Sequence, residues 1–144
     1  MRKVLSLLLS ICIILGSGIN KKSYANTNNV QSAWLATAWS LDWPKTKNNP
    51  TAQKNELRKI LDTLKDTGIN TVMFQVRPYG DAMYKSSINP WSKELTGTQG
   101  KDPGYDPLAF IIQEAHTRGM KVHAWLNPYR VVSSGTDVNV LSSN

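Results

Sequence analysis

The sequence predicts an α/β fold in which short parallel strands alternate with helices, and three features carry that prediction. One pattern occurs twice: Gly68-Ile-Asn-Thr-Val-Met-Phe-Gln-Val-Arg-Pro-Tyr79, then Gly119-Met-Lys-Val-His-Ala-Trp-Leu-Asn-Pro-Tyr-Arg130. Each copy is a glycine, a short apolar strand and a Pro-Tyr. Each glycine comes after a segment with the apolar spacing of a helix. The polar residues of both strands fall on one face and toward the carboxyl end, which is where βα barrels carry their sites.

Ala33 to Trp39 is short, apolar and aromatic and forms the first expected strand, running into Leu41-Asp42-Trp43-Pro44 and a turn-rich loop. In the first helix Thr51 stands as N-cap, and Leu57, Ile60, Leu61 and Leu64 make one buried stripe before Gly68 stops it. The second strand sets Val72, Phe74 and Val76 against Met73, Gln75 and Arg77, by the two-residue period of strands. Asp106 caps the second helix with Pro107 at its first position, and Leu108, Ile111, Ile112 and Ala115 form its stripe up to Gly119. In the third strand Val122, Ala124 and Leu126 share the face under the helices, while His123, Trp125 and Asn127 share the other.

Strand, helix, strand, helix, strand with short joins gives a parallel sheet. A doubly wound sheet is the alternative to a barrel, but it normally buries both strand faces in apolar contacts. Gln75, Arg77, His123 and Asn127 on one face suit the interior of a barrel near its mouth. The connection from Pro78 to Tyr105 is far longer than the roughly 2–6 residues usual for a βα loop. Its Tyr79, Gly80, Asp81, Tyr84, Trp91, Thr96, Gly97 and Gly100 mix aromatic, polar and permissive residues, as substrate-binding loops do.

The start of the chain bears on compartment. Arg2 and Lys3 precede the apolar run Val4 to Leu15, and Ser23-Tyr24-Ala25 offers a small-residue cleavage site, so residues 1–25 read as a secretory signal peptide. The run is shorter than the roughly 20 apolar residues of a membrane span, so no stable span is expected after cleavage. The only cysteine, Cys12, lies inside it and comes after a bulky Ile11, a poor lipoprotein site. Secretion or cell-wall association is the expected localisation. Residues 26–31 are expected to be a flexible leader, 32–131 the folded domain and 132–144 a tail.

Charge and composition exclude several classes. Cleavage would take Arg2, Lys3, Lys21 and Lys22 from the 17 basic residues, leaving 13 against 10 acids and a charge of +3 in place of +7. No block of Lys and Arg remains elsewhere, so no nucleic-acid partner is expected. The sequence holds no GxGxxG, Walker loop, HExxH or GxSxG, and no cofactor is expected. With no cysteine beyond Cys12, and only His116 and His123 as histidines, neither is a metal. His116 reads as a surface or capping residue; His123 is open between core and pocket.

The site residues expected from position are Arg77, Asp81, Asn127 and Arg130, with Trp39, Trp43, Tyr79, Trp125 and Tyr129 around them. Groups at or just past the ends of neighbouring parallel strands project toward one mouth. Amides, carboxylates and guanidinium forks suit the hydroxyls of a carbohydrate, and aromatic rings suit its C–H faces. The plainer alternative is that Arg77 and Asp81 pair only to hold the long loop and that the tryptophans, Trp34 above all, are core. Glycosidic hydrolysis normally needs two carboxyl groups roughly 5–10 Å apart. Asp42 and Asp81 are the only acids near strand ends, Asp102 and Asp106 reading as loop and cap, so the catalytic residues stay unassigned.

Several blocks add a resemblance. Ala33-Trp34-Leu35-Ala36-Thr37, Asp42-Trp43-Pro44, Phe74-Gln75-Val76-Arg77-Pro78, Gly80-Asp81-Ala82, Pro90-Trp91-Ser92, Leu95-Thr96-Gly97-Thr98-Gln99-Gly100, Gly104-Tyr105-Asp106-Pro107-Leu108 and His123-Ala124-Trp125-Leu126-Asn127-Pro128-Tyr129-Arg130 resemble the glycosyl hydrolase-like 10 family of bacterial secreted proteins, from Ser32 to Val131. The resemblance implies a TIM-type (β/α)8 barrel and glycoside hydrolysis of exported or cell-wall polysaccharide, peptidoglycan glycan included. It also implies that the catalytic carboxylates come after later strands than the three found here. Three strands and two helices cannot close an eight-stranded barrel of about 250 residues. The expectation is therefore the N-terminal portion of such an enzyme, supplying substrate-binding residues, or a non-catalytic carbohydrate-binding or inactive remnant of one.

Overall fold

The computed structural model of the protein describes residues 29–132. The expected signal peptide, the first part of the leader and nearly all of the tail lie outside the described residues. Three strands, β1 (Ser32–Leu35), β2 (Thr71–Arg77) and β3 (Lys121–Leu126), form one parallel sheet in the order β1-β2-β3. Between them run α1 (Pro50–Asp66), the one-turn α2 (Lys93–Thr96) and α3 (Pro107–Thr117). This is a mixed α/β architecture, consistent with part of a barrel.

The core lies between one sheet face and the two long helices. Leu57 and Leu61 of α1 and Ile111 and Ala115 of α3 are buried with Leu35, Val72, Phe74 and Val76. The faces assigned from strand period are the ones observed on β2. On β3 only Val122 packs against this core, while Ala124 and Leu126 are exposed, because β3 is an edge of the described sheet. The stripe of α3 is rotated from expectation: Phe110 packs against the core and Ile112 does not. The reason is the neighbouring helix, since Arg58 of α1 holds its guanidinium 5.0 Å from the Phe110 ring centre and Tyr105 meets that ring edge-on at 6.2 Å.

Helix α1 starts earlier than expected. Asn49, not Thr51, is the N-cap: its Oδ1 accepts from the Ala52 N–H at 3.0 Å, and Pro50 fills the first position, where no N–H is needed. The end is as expected, with Gly68 at φ 88°, a left-handed conformation that a side chain would strain. Asp106 and Pro107 start α3 as the sequence predicts, the Asp106 Oδ1 accepting from the Ala109 N–H at 2.9 Å. The leader is not wholly free, because the Gln31 carbonyl accepts from the Asn70 and Thr71 N–H groups at 3.0 and 3.1 Å.

The first strand is shorter than Ala33 to Trp39. Gln75, buried on β2, directs its side-chain oxygen at the chain leaving β1, where it accepts from the N–H groups of Thr37 at 2.8 Å and Ala38 at 2.9 Å. The Thr37 hydroxyl donates to the Gln75 carbonyl at 2.9 Å. These bonds replace strand pairing, and the chain turns into a short 3-10 segment, Ala38–Ser40. The long connection after β2 is ordered by an Ala82–Trp91 bridge and by Met83 and Leu95, which extend the core. No helix among the described residues is long and apolar enough to cross a membrane.

The turn after β1 can be tested through its acceptor. Gln75→Leu keeps the volume but leaves the Thr37 and Ala38 N–H groups buried without an acceptor, at roughly 1–3 kcal/mol each. A urea titration should show a loss of about 2–5 kcal/mol, and a loss below about 1 kcal/mol would contradict this account of the turn.

A second outcome concerns the α1–α3 tie. Glu114 takes Arg118 Nη1 at 2.8 Å and Arg58 Nε at 2.9 Å, while Arg118 Nε reaches Asp62 at 2.7 Å. The Arg118 hydrogen bond first, and that of Arg58 next, hold the Glu114 carboxyl below its ordinary 4.5. Its folded pKa lies below the unfolded one, so the stabilisation is complete above about 4.5 and is lost as pH falls through the lower folded value. Glu114→Gln should cost up to about 1 kcal/mol near neutral pH and flatten the acid limb of the stability curve measured by thermal melts from about pH 2 to 7. An unchanged acid limb would refute the linkage.

Candidate functional site

The three strands are parallel, so their carboxyl ends share one rim. Arg77 and Asn127 meet there and interlock. Arg77 Nη1 donates to the Asn127 carbonyl at 2.9 Å, the Asn127 N–H donates to the Arg77 carbonyl at 3.0 Å, and Asn127 Nδ2 donates to the Pro78 carbonyl at 3.1 Å. Both residues are half-buried. One guanidinium nitrogen is thus spent on fixing the fork.

The segment after β3 folds back over the loop after β2. The Gly80 N–H donates to the Val131 carbonyl at 2.9 Å, and a Cβ on Gly80 would sit 3.2 Å from that oxygen, a tight contact that glycine avoids. This return carries Arg130 across to the end of β1, where its guanidinium stands 5.3 Å from the Trp39 ring centre. Tyr79 meets Trp39 edge-on at 5.9 Å, and Lys93 Nζ lies 5.9 Å from the Tyr79 ring centre. Arg77, Asn127, Arg130 and Trp39 therefore join the ends of all three strands.

The other expected residues lie elsewhere. Trp43 is fully buried, packed on Phe74 with its indole N–H donating to the Gln53 carbonyl at 3.0 Å; it belongs to the core and offers no ring face at the rim. Tyr79 is also buried, and burial foremost, with the Glu94 charge second, raises its hydroxyl pKa. Asp81 does not pair with Arg77. It is buried, accepts from the Tyr79 N–H at 3.3 Å and from Ser92 and the Lys93 N–H, and is raised above the usual carboxylate range by burial. Holding the loop is what these bonds do, though by a different partner set than Arg77. Tyr129 is 95% exposed. Trp125 is half-buried on the sheet face away from the helices, edge-on to Trp34 at 4.9 Å, and Trp34 is 64% exposed rather than core. His123 is exposed on that same face, and His116 is exposed at the end of α3.

Two residues of the rim escape sequence reasoning. Glu94 is buried, with Oε2 accepting from the Ser40 hydroxyl at 2.9 Å and Lys47 Nζ at 3.0 Å, so it ties the turn after β1 to the loop after β2. Gln53 is buried, donates from Nε2 to the Leu95 carbonyl at 2.7 Å and the Thr46 carbonyl at 2.8 Å, and accepts from Tyr105 at 2.9 Å. Ser92, which caps α2, is a sequence signal for a short helix near Glu94. Nothing in the pattern marks which acid turns inward.

The acids of the rim are committed to structure. Asp42 accepts from the Ala36 N–H at 2.8 Å, and Asp81 and Glu94 are buried in hydrogen bonds. Among the described residues no group of His, Cys, Asp and Glu could hold a metal ion. Guanidinium and amide donors beside aromatic rings can take up hydroxyls and C–H faces.

Known proteins share this sequence pattern. Residues 29–144 match the family described as glycosyl hydrolase-like 10. The chain is 47% identical over 116 residues to glycosyl hydrolase YngK of Bacillus subtilis, covering 80% of this chain and 23% of that protein. It is 52% identical over 110 residues to glycosyl hydrolase DigH of Escherichia coli K12, covering 71% of this chain and 25% of that protein. The chain thus spans about a quarter of the length of these curated relatives. It belongs to the glycosyl hydrolase-like 10 family.

Proposed function

We propose that this chain forms the substrate-binding side of a secreted glycoside hydrolase acting on polysaccharide, with cell-wall glycan the foremost candidate. The interlocked Arg77–Asn127 pair, joined at the rim by Arg130, is the observation that carries the reading. In it β1, β2 and β3 are the first strands of a (β/α)8 barrel, whose substrates bind at the carboxyl face. Three parallel strands in sequence order, with the helices on one face, support that placement. The apolar run and cleavage site in residues 1–25 support export to the cell wall or beyond.

In this proposal the catalytic carboxyl pair comes from later strands. The commitment of Asp42, Asp81 and Glu94 to hydrogen bonds favours a binding role for the residues present, and a purely carbohydrate-binding module is the second reading on the same ground. The full chain should therefore bind glycan without cleaving it. Purified peptidoglycan sacculi pull-downs and calorimetry with a β-1,4-linked N-acetylglucosamine hexasaccharide test the binding. Arg130→Ala and Asn127→Ala should each weaken it about tenfold, the order of one lost charged or amide hydrogen bond. Unchanged affinity in both variants would remove this rim from the reading, and sustained release of reducing ends would contradict the assignment of catalysis elsewhere.

A further inference from the structure

Resting on the carbohydrate reading above, we propose that Trp39 is the saccharide-stacking platform of the rim, held in place by a turn built for that purpose. Sugar-stacking aromatics need two properties together: an exposed ring face and a fixed position, so that little conformational freedom is lost on binding. Of the aromatic residues just past the strand ends, Trp39 is both largely exposed and held by its neighbours. Trp43 and Tyr79 are buried, and Tyr129 is 95% exposed. Trp125 and Trp34 pair with each other on the sheet face away from the helices, short of the strand ends.

Trp39 is 61% exposed, yet its surroundings leave it little freedom. Its ring lies against Tyr79 at 5.9 Å and under the Arg130 guanidinium at 5.3 Å. The backbone beneath it is fixed from several sides. The Ser40 hydroxyl donates to Glu94, itself held by Lys47, and Lys45 Nζ donates to the Ser40 and Leu41 carbonyls. The Ser40 N–H donates to the Thr37 carbonyl at 3.0 Å, and Gln75 holds the Thr37 and Ala38 N–H groups below it.

The backbone conformation gives an independent argument. Trp39 (φ 54°, ψ 21°) and Ser40 (φ 54°) both occupy the left-handed region, where a bulky residue is uncommon and disfavoured. Glycine would relieve that cost. Nothing in the core gains from keeping a tryptophan there, because most of it faces solvent. A strained, multiply tethered and exposed tryptophan at the end of β1, beside Arg130, is explained by a ligand that lies on its ring.

Calorimetry with the β-1,4-linked N-acetylglucosamine hexasaccharide, and sacculi pull-downs, compare the full chain with Trp39→Ala and Trp39→Phe. Trp39→Ala should lose about tenfold or more in affinity, as expected for one aromatic contact, with little change in melting temperature. Trp39→Phe should stay within about threefold of wild type. Should Trp39→Ala lower the melting temperature, the Phe variant decides: near-normal affinity supports the platform, and affinity as low as that of the Ala variant overturns it. Wild-type affinity in Trp39→Ala overturns the platform and leaves the carbohydrate reading intact. Failure of the wild-type chain to bind either glycan removes both.

Discussion

One buried amide decides how this fold presents its rim. Gln75 sits in the middle strand with its side-chain oxygen aimed at the neighbouring chain, where it takes the two N–H groups that would otherwise continue β1. A buried N–H without a partner costs enough to dictate a path, so the chain turns where the acceptor stands. The course of the chain beyond Leu35 depends on that choice: the left-handed Trp39 and Ser40, the hydroxyl offered to Glu94, and the place where Arg130 returns. A second amide, Gln53, does the same service one layer out, bridging the α1 start to Leu95 and Tyr105.

The acids of the long connection show the same logic with charge. Burying a carboxylate is costly unless hydrogen bonds and a counter-charge receive it. Glu94 has both, in the Ser40 hydroxyl and Lys47. Asp81 has hydrogen bonds from Tyr79 and Ser92 but no ion pair among the described residues, and burial moves its pKa upward. These two groups order a loop that would be too long to hold itself. Acids used this way hold the chain: each ties backbone or side-chain donors from segments far apart in sequence.

The helices and the faces of β2 were legible because period and capping are local properties. Leu57 and Leu61, Val72 and Phe74, Asp106 with Pro107, and Gly68 all lie where spacing alone put them. Two departures have different sources, one local and one distant. Asn49 displaced Thr51 as cap because Pro50 shifted the first turn, and Phe110 displaced Ile112 because Arg58 lies alongside it on α1. The meeting of Arg77 with Asn127 could be anticipated from parallel strands, but the burial of Trp43 and the exposure of Trp34 could not. Both are tryptophans near β1, and only the three-dimensional position of Gln53 and Phe74 distinguishes them.

The rim also depends on an irregularity in the sheet. Gln75 pairs with Trp125, but Arg77 pairs with Leu126, so β2 spends one more residue than β3 over this step. Such a shift bends the strand and re-aims the residues beyond it. Without it Arg77 would stand opposite Asn127 itself. With it, Asn127 comes one place further along, its N–H meets the Arg77 carbonyl, and its own carbonyl lies within reach of the Arg77 guanidinium. The bulge converts two neighbouring strand ends into one interlocked donor unit. The Pro128–Arg130 turn follows directly, and its return past Gly80 brings the Val131 carbonyl so close that a Cβ there would be crowded. Sheet register, glycine and guanidinium position are therefore a single constraint, and loosening any of them would move Arg130 away from Trp39.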